Sequence, residues 1–148
     1  MRRKVFASKI FDRKVVLITG GCAGIGRALA ERMAQAGARL VIFDLEQNAL
    51  DGLVQHLVDH HNADVLGLRC DVSDSMAVQQ AVALVLERFG GIDVLINNAG
   101  IIYREAIVDT STDTFRSAIE TDLVSQFMLA REVGRHMLAR KYGRIVNI

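Results

Sequence analysis

The feature that most narrows the fold is the run Lys14–Arg27, KVVLITGGCAGIGR, in which an apolar stretch leads directly into a cluster of glycines. Val15, Val16, Leu17 and Ile18 are unbroken by any polar residue, the pattern of a strand covered on both faces in a parallel sheet. The spacing predicts a strand over Val15 to Thr19, a turn from Gly20 to Gly24 and a helix from Ile25. Gly20, Gly24 and Gly26 follow a Gly-x-x-x-Gly-x-Gly pattern, with Gly21 as a fourth glycine. Lacking Cβ, such residues reach positive φ and let phosphates approach the backbone. The helix start adds unpaired N–H groups and a partial positive charge, which suit a pyrophosphate. The plainer reading is a βα turn with surplus glycine, because short glycine patterns recur by accident.

The rest of the chain alternates strand and helix. Residues 1–13 read as a tail and lead-in, and 14–148 as one domain. The first helix, Ile25 to about Ala36, places Ile25, Ala28, Leu29 and Met33 on one side, and Gly37 stops it as a left-handed cap. A strand over Leu40 to Phe43 ends at Asp44. Leu50, Leu53, Val54, Leu57 and Val58 mark a second helix. A third strand, Val65 to Cys70, leads to Asp71-Val72, and Ser73 is placed to cap a third helix with inner face Val78, Ala81, Val82, Val85, Leu86 and Phe89. Gly90-Gly91 end it. The fourth strand, Ile92 to Ile96, runs into Asn97-Asn98-Ala99-Gly100. A long helical region from Thr112 to about Arg140, broken near Thr121-Asp122, precedes a last strand over Arg144 to Ile148. This β-α-β-α-β-α-β-α-β order predicts an α/β, doubly wound parallel sheet.

Composition excludes several function classes. Hydrophobic residues make up 51% of the 148, and 18 basic against 17 acidic residues leave a net charge of +1. Nothing basic beyond Arg2-Arg3-Lys4 favours nucleic acid, and no segment reaches the apolar length of a membrane span. Two cysteines, Cys22 and Cys70, suit a reducing compartment better than a disulfide framework, so a cytoplasmic protein is expected. His56 and His60 are four apart on a predicted helix, but no third ligand stands at a metal-binding spacing, and no metal is expected.

In an open parallel sheet, ligands bind outside the carboxyl ends of the strands, and the chemically suggestive residues fall there. Asp44 lies 18 residues past Gly26, the interval of a carboxylate that accepts hydrogen bonds from adenosine ribose hydroxyls. An acid there repels a 2′-phosphate, and Gly21, Cys22 and Ala23 include no cation to welcome one, so NAD is favoured over NADP. Asp71 is placed to receive the adenine amino group or to cap a helix. Asn97, Asn98, Ala99 and Gly100 would bring amides and a small-residue backbone against the ribose, or form an ordinary turn.

Together, Thr19-Gly20-Gly21-Cys22-Ala23-Gly24-Ile25-Gly26, Asp44, Asp71-Val72, Asn97-Asn98-Ala99-Gly100 and Gly143-Arg144-Ile145-Val146-Asn147-Ile148 resemble the short-chain dehydrogenase/reductase family, from about Lys14 to the end of the chain. The resemblance implies a Rossmann-type sheet of order 3-2-1-4-5, truncated after the fifth strand, and hydride transfer between a nicotinamide and a carbonyl or alcohol substrate. It implies that Gly20, Cys22, Gly24, Ile25 and Gly26 contact NAD from the loop and Asp44 and Leu45 from the second strand's end. Asp71 and Val72, then Asn98, Ala99 and Gly100, would complete the cofactor site, while Asn97 steadies the central strand. It also implies that the helices bearing Phe115, Ile119, Leu123, Phe127, Leu129, Val133 and Met137 pair subunits in a homodimer or homotetramer; simple core packing is the rival explanation.

Two departures bear on catalysis. Family members run to ~250 residues, and their catalytic Ser and Tyr-x-x-x-Lys follow the strand that ends this chain. Neither Tyr103 nor Tyr142 has a lysine four residues on, so no catalytic residue is assigned here and an NAD-binding half is expected. A stand-alone NAD-binding or interaction module, and a Rossmann-like domain for another adenosine ligand such as S-adenosylmethionine, are the alternatives. Second, Asp122 occupies a position where the family usually has Asn. For substrate, Gly100 to Arg104 is similar to sugar-acid dehydrogenases of the family, and Ile119 to Leu123 to its 3-oxoacyl carrier-protein reductases.

Overall fold

The computed structural model describes residues 10–148; most of the expected tail, residues 1–9, lies outside the described residues. Five strands, β1 (Val15–Thr19), β2 (Arg39–Asp44), β3 (Val65–Arg69), β4 (Val94–Asn97) and β5 (Arg144–Asn147), form one sheet in the order β3-β2-β1-β4-β5. Every pairing is parallel. The order reverses beside β1, which leads first to β2 on one side and later to β4 on the other. That point is where an open sheet of this kind opens a crevice.

Side-chain alternation on the strands builds two cores. Val15, Leu17, Val41, Phe43 and Leu95 face α3 (Ser75–Phe89) and α5 (Ser125–Ala139). Val16, Ile18, Leu40, Ile42 and Ile96 face α1 (Gly24–Gln35) and α2 (Gln47–His61). All five residues of β1 are buried, which explains its lack of polar alternation. Truncating Leu17 or Phe43, both fully covered, to alanine would cost about 3–5 kcal/mol.

Several local expectations are corrected. Asp74, not Ser73, caps α3, its carboxylate accepting from the Met76 and Ala77 N–H groups at 2.8 and 3.2 Å. The buried stripe of α1 is Gly26, Ala30, Met33 and Ala34, with Ile25 60% exposed; the close approach of the helix start to the loop turns Ile25 outward. Val58 is likewise exposed on α2, at 41%. Between α4 (Thr112–Ile119) and α5 the chain stays helical: Glu120–Val124 forms a π-helical turn rather than a break. The strand pairings also shift ends by a residue or two, so β4 begins at Val94 and β5 closes at Asn147.

The apolar surface of the long helical region divides between two faces. Leu129, Val133 and Met137 are buried under the sheet, whereas Phe115, Leu123 and Phe127 are about 60% exposed and Ile119 38%. At the opposite end of the strands, Asp93 sits just before β4, accepting from the Val15 N–H at 2.9 Å and pairing with Arg140 at 2.8 Å.

Candidate functional site

The carboxyl ends of the strands form a stitched surface before any ligand is considered. Thr19 Oγ1 accepts from the Asn98 and Ala99 N–H groups, each at 3.0 Å. The Asn98 side-chain amide donates to the Thr19 and Gly20 carbonyls, each at 2.9 Å. Gly20 N–H in turn donates to Phe43 O at 2.8 Å, and Cys70 N–H to Asp44 O at 2.9 Å. The ends of β1, β2, β3 and β4 are thus linked laterally, in addition to their ladders.

Two glycines of the loop are required sterically. Gly20 has φ +61°, and a Cβ there would sit 2.9 Å from Ala99 Cα. A Cβ at Gly26 would collide with the Gly20 carbonyl and with Asn98 Nδ2. Gly24, by contrast, has φ +50° and open space where a Cβ would point. The loop therefore packs tightly against β4 from behind and leaves room in front of the α1 N-terminus, whose first turn carries no acidic residue. Unpartnered N–H groups at such an end favour an anion.

Asp44 closes the other side of the loop. Its carboxylate accepts from the Cys22 N–H on Oδ2 at 2.9 Å and from Leu45 and Glu46 N–H groups on Oδ1 at 2.9 and 3.4 Å. Burial pushes the Cys22 thiol up to about 12, helped by the adjacent Asp44 charge and a hydrogen bond to it, against a smaller opposing pull from Arg27. Burial likewise raises the Cys70 thiol to about 11, with the charges of Asp71 and Asp74 adding to it. Both cysteines are unpaired. Asp71 does not cap α3; it accepts from Ser73 N–H and Oγ at 2.9 and 2.6 Å, shaping the turn that follows β3.

A cavity of about 360 Å³ lies along these ends, and its wall includes Gly20, Asp44, Leu45, Asp71, Val72, Ala99 and Gly100. Cys22 adjoins it through Asp44. Gly24 and Ile25 stand at the first turn of α1, with Ile25 facing solvent. Gly26 and Asn98 shape the loop from beneath: the one is buried, and the other spends both amide hydrogens on carbonyls. The cavity also has walls outside the expected cofactor contacts, namely Phe43, Cys70, Ser73, Ile101, Tyr103, Ser117 and Thr121. Phe43 and Cys70 directly precede the strand-end acids Asp44 and Asp71, and that adjacency marks them. Tyr103 and Ser117, whose hydroxyls meet at 3.2 Å, are brought in by the 98–111 connection and α4, and no local spacing marks them.

Next to it, a smaller hollow of about 240 Å³ includes Asn98, Gly100, Ile101, Asp122, Gln126 and Ile148. Asp122 sits within the π-helical turn and accepts from the Ile101 N–H at 2.8 Å. Asn97 spans β4 and β5, donating from Nδ2 to Asn147 Oδ1 at 2.8 Å. His56 and His60 stack on the outside of α2 with ring centroids 4.2 Å apart; among the described residues no group of three or more His, Cys, Asp or Glu could hold a metal ion. No helix among them is long and apolar enough to cross a membrane.

A doubly wound parallel sheet with a glycine turn at its switch point and an acid at the next strand's end defines a Rossmann-type α/β protein. The short chain dehydrogenase family model matches residues 14–148, and the chain belongs to that family. It is 33% identical to the 3-oxoacyl-acyl-carrier-protein reductase of Escherichia coli over 138 residues, covering 93% of this chain and 55% of that protein. It is 33% identical to the 2-dehydro-3-deoxy-D-gluconate 5-dehydrogenase of Formosa agariphila over 136 residues, 91% of this chain and 51% of the relative. Among solved structures, a short chain dehydrogenase/reductase from Burkholderia phymatum in complex with NAD superposes with a TM-score of 0.88 at 34% identity, over 93% of this chain and 49% of the other. The chain thus spans about half the length of the relatives it matches.

Proposed function

We propose that residues 14–148 are the nucleotide-binding unit of a short-chain oxidoreductase, holding NAD while hydride passes between its nicotinamide and a carbonyl or alcohol substrate. The observation that carries this reading is the placement of Asp44 and of Gly20, the first glycine of the loop, on one cavity, with Asp44 tied to the loop by the Cys22 N–H. The open side of Gly24 at the α1 N-terminus is where a pyrophosphate would lie. Asp44, Leu45 and Gly20 would hold the adenosine ribose, and Asp71 and Val72 the adenine, with Asn98, Ala99 and Gly100 supporting the second ribose from β4. NAD, when bound, supplies the hydride acceptor. This chain's residues bind and orient it; acid–base chemistry at the substrate oxygen is not assigned to any of them. Asp122 stands where the family usually carries Asn. Its carboxylate keeps the acceptor role toward Ile101 but offers no amide hydrogen.

A family member of this kind acts on small molecules, and the relatives named above include an acyl-carrier-protein reductase and a sugar-acid dehydrogenase. The exposed Phe115, Ile119, Leu123 and Phe127 support a homodimer or homotetramer built across α4 and α5. Two unpaired thiols fit a reducing cytoplasm. Calorimetric titration of the chain with NAD and NADH tests the reading: saturable one-site binding, weakened about tenfold or more by Asp44→Ala, is expected. Absence of binding, or displacement by S-adenosylmethionine with no response to NAD, overturns it. A monomer by light scattering at micromolar concentration removes the subunit pairing.

A further inference from the structure

Away from the cavity, the last two turns of α2 bring His56 and His60 together. Four residues apart, they share one face of the helix, and their rings stack with centroids 4.2 Å apart and planes inclined by 29°. His60 Nδ1 lies 3.0 Å from the His56 carbonyl oxygen. A carbonyl oxygen only accepts, so Nδ1 carries the hydrogen and the neutral ring keeps its Nε2 lone pair for another partner. Imidazoles that ligate metals are held from behind in this way. His56 Nε2 stands 3.9 Å from Glu31 Oε1 on α1, and both of those side chains are about a third exposed. His60 is exposed as well, so an ion can reach the pair from solvent.

We propose that His56 and His60 form a two-imidazole clamp for a tetragonal divalent transition metal, Ni²⁺ or Cu²⁺, with water completing the coordination. The ring separation selects the geometry. With metal–nitrogen bonds of about 2.0–2.1 Å and roughly 1.1 Å more to each ring centre, centroids 4.2 Å apart subtend about 80–90° at a shared ion. Adjacent positions on a square-planar or octahedral ion are about 90° apart, whereas tetrahedral zinc asks for about 109°. Zinc sites also take three or four protein ligands, and the described residues hold no such group. Two adjacent imidazoles with water suffice for a labile tetragonal ion. His61 lies outside the clamp, because its ring, edge-on to His56 at 6.2 Å, is too far for a neighbouring position on the same ion. Glu31 supplies charge rather than a bond: it already accepts from Arg27 Nε at 3.2 Å, and its anion offsets that guanidinium. The clamp is independent of the nucleotide cavity, which opens beside Asp44 and Leu45 at the other end of α2.

The test is calorimetric titration of the chain, free of added histidines, with nickel chloride and then with zinc chloride. One Ni²⁺ binds per chain, and Zn²⁺ binds more weakly. His56→Gln and His60→Gln each weaken Ni²⁺ by about tenfold or more, because either leaves a single imidazole without its chelating neighbour. His61→Gln and His136→Gln bind as the wild type does. Saturating Ni²⁺ raises the Tm of the wild type and not that of His60→Gln, since the two rings face one ion only while α2 is helical. Circular dichroism confirms that the exposed-site variants keep their helix content. Absence of saturable Ni²⁺ binding, an equal loss in His61→Gln or His136→Gln, or tighter binding of Zn²⁺ than of Ni²⁺ overturns the clamp. NAD titrations on the same variants are unchanged, so failure here leaves the nucleotide reading standing.

Discussion

Asp93 and Arg140 meet at 2.8 Å at the amino-terminal end of the sheet, with the acid 5% exposed and the guanidinium on the last turn of the helical region. The same carboxylate accepts the Val15 N–H at 2.9 Å, so one side chain joins the first strand, the fourth strand and the C-terminal end of α5. The pair lies at the opposite end of the strands from the candidate site, which makes it a pure test of the scaffold.

Burial on its own would raise the Asp93 carboxyl, but the Val15 N–H, the Arg140 hydrogen bond and charge, and the Lys14 charge together outweigh it and hold the group below its ordinary value. A carboxylate lowered in the folded state contributes stability that is complete above the unfolded value of about 3.9 and is lost as pH falls through the folded one. Urea unfolding of the wild type therefore shows stability falling as pH drops below about 4, and Asp93→Asn flattens that limb. At neutral pH the same substitution costs about 1–2 kcal/mol, since Arg140 is 41% exposed and keeps its contact to the Ile92 carbonyl. An unchanged acid limb in the variant would show that other carboxylates carry it.

The glycine loop makes a graded prediction. Gly26→Ala forces a Cβ against the Gly20 carbonyl and Asn98 Nδ2 and lowers stability by about 3 kcal/mol. Gly24→Ala has open space and meets only the left-handed backbone penalty of about 1–2 kcal/mol. Thermal and urea melts of the two variants side by side measure the difference, and equal costs would mean that the loop yields at Gly26.

Asn98 holds the same loop by polarity rather than shape. Asn98→Ala removes two hydrogen bonds to the Thr19 and Gly20 carbonyls and costs about 2 kcal/mol. Asn98→Asp is worse than alanine, because it sets an anion against two carbonyl oxygens in place of a donor. The order wild type, Ala, Asp in urea midpoint is the expected result.

The cysteines give a chemical reading of the site. With Cys22 pushed up to about 12 and Cys70 to about 11, both stay protonated at pH 8, and thiolate is the form that reacts. Iodoacetamide labels the folded chain about a hundredfold more slowly than a model thiol, while unfolding in urea restores normal rates. Asp44→Asn removes a charge that keeps the Cys22 thiol protonated, so Cys22 labelling accelerates in that variant and Cys70 labelling does not. Mass spectrometry of the two peptides separates them.

The sheet was readable because the strands are short apolar runs, the first three closed by a glycine or an acid and the fourth by asparagines, and its order could be taken from the alternation of strands and helices together with the family resemblance. Loop geometry was readable for Gly20 and Gly26, where the Asn98-Ala99 segment after β4 and the Gly20 carbonyl leave no space. Other features left no local mark. The π-helical turn at Glu120–Val124 adds a residue without changing composition, so the same residues look like a break. Tyr103 and Ser117 meet only through the fold of a long connection, and the division of the helical apolar residues into a buried set and an exposed set depends on which side the sheet covers.

The lateral stitching of Thr19, Gly20 and Asn98 has a kinetic consequence. A crevice whose shape is fixed by hydrogen bonds within the scaffold has no ordering step to complete when an anion arrives. Association should follow a single exponential whose rate scales linearly with ligand concentration, with no plateau from a slow isomerisation.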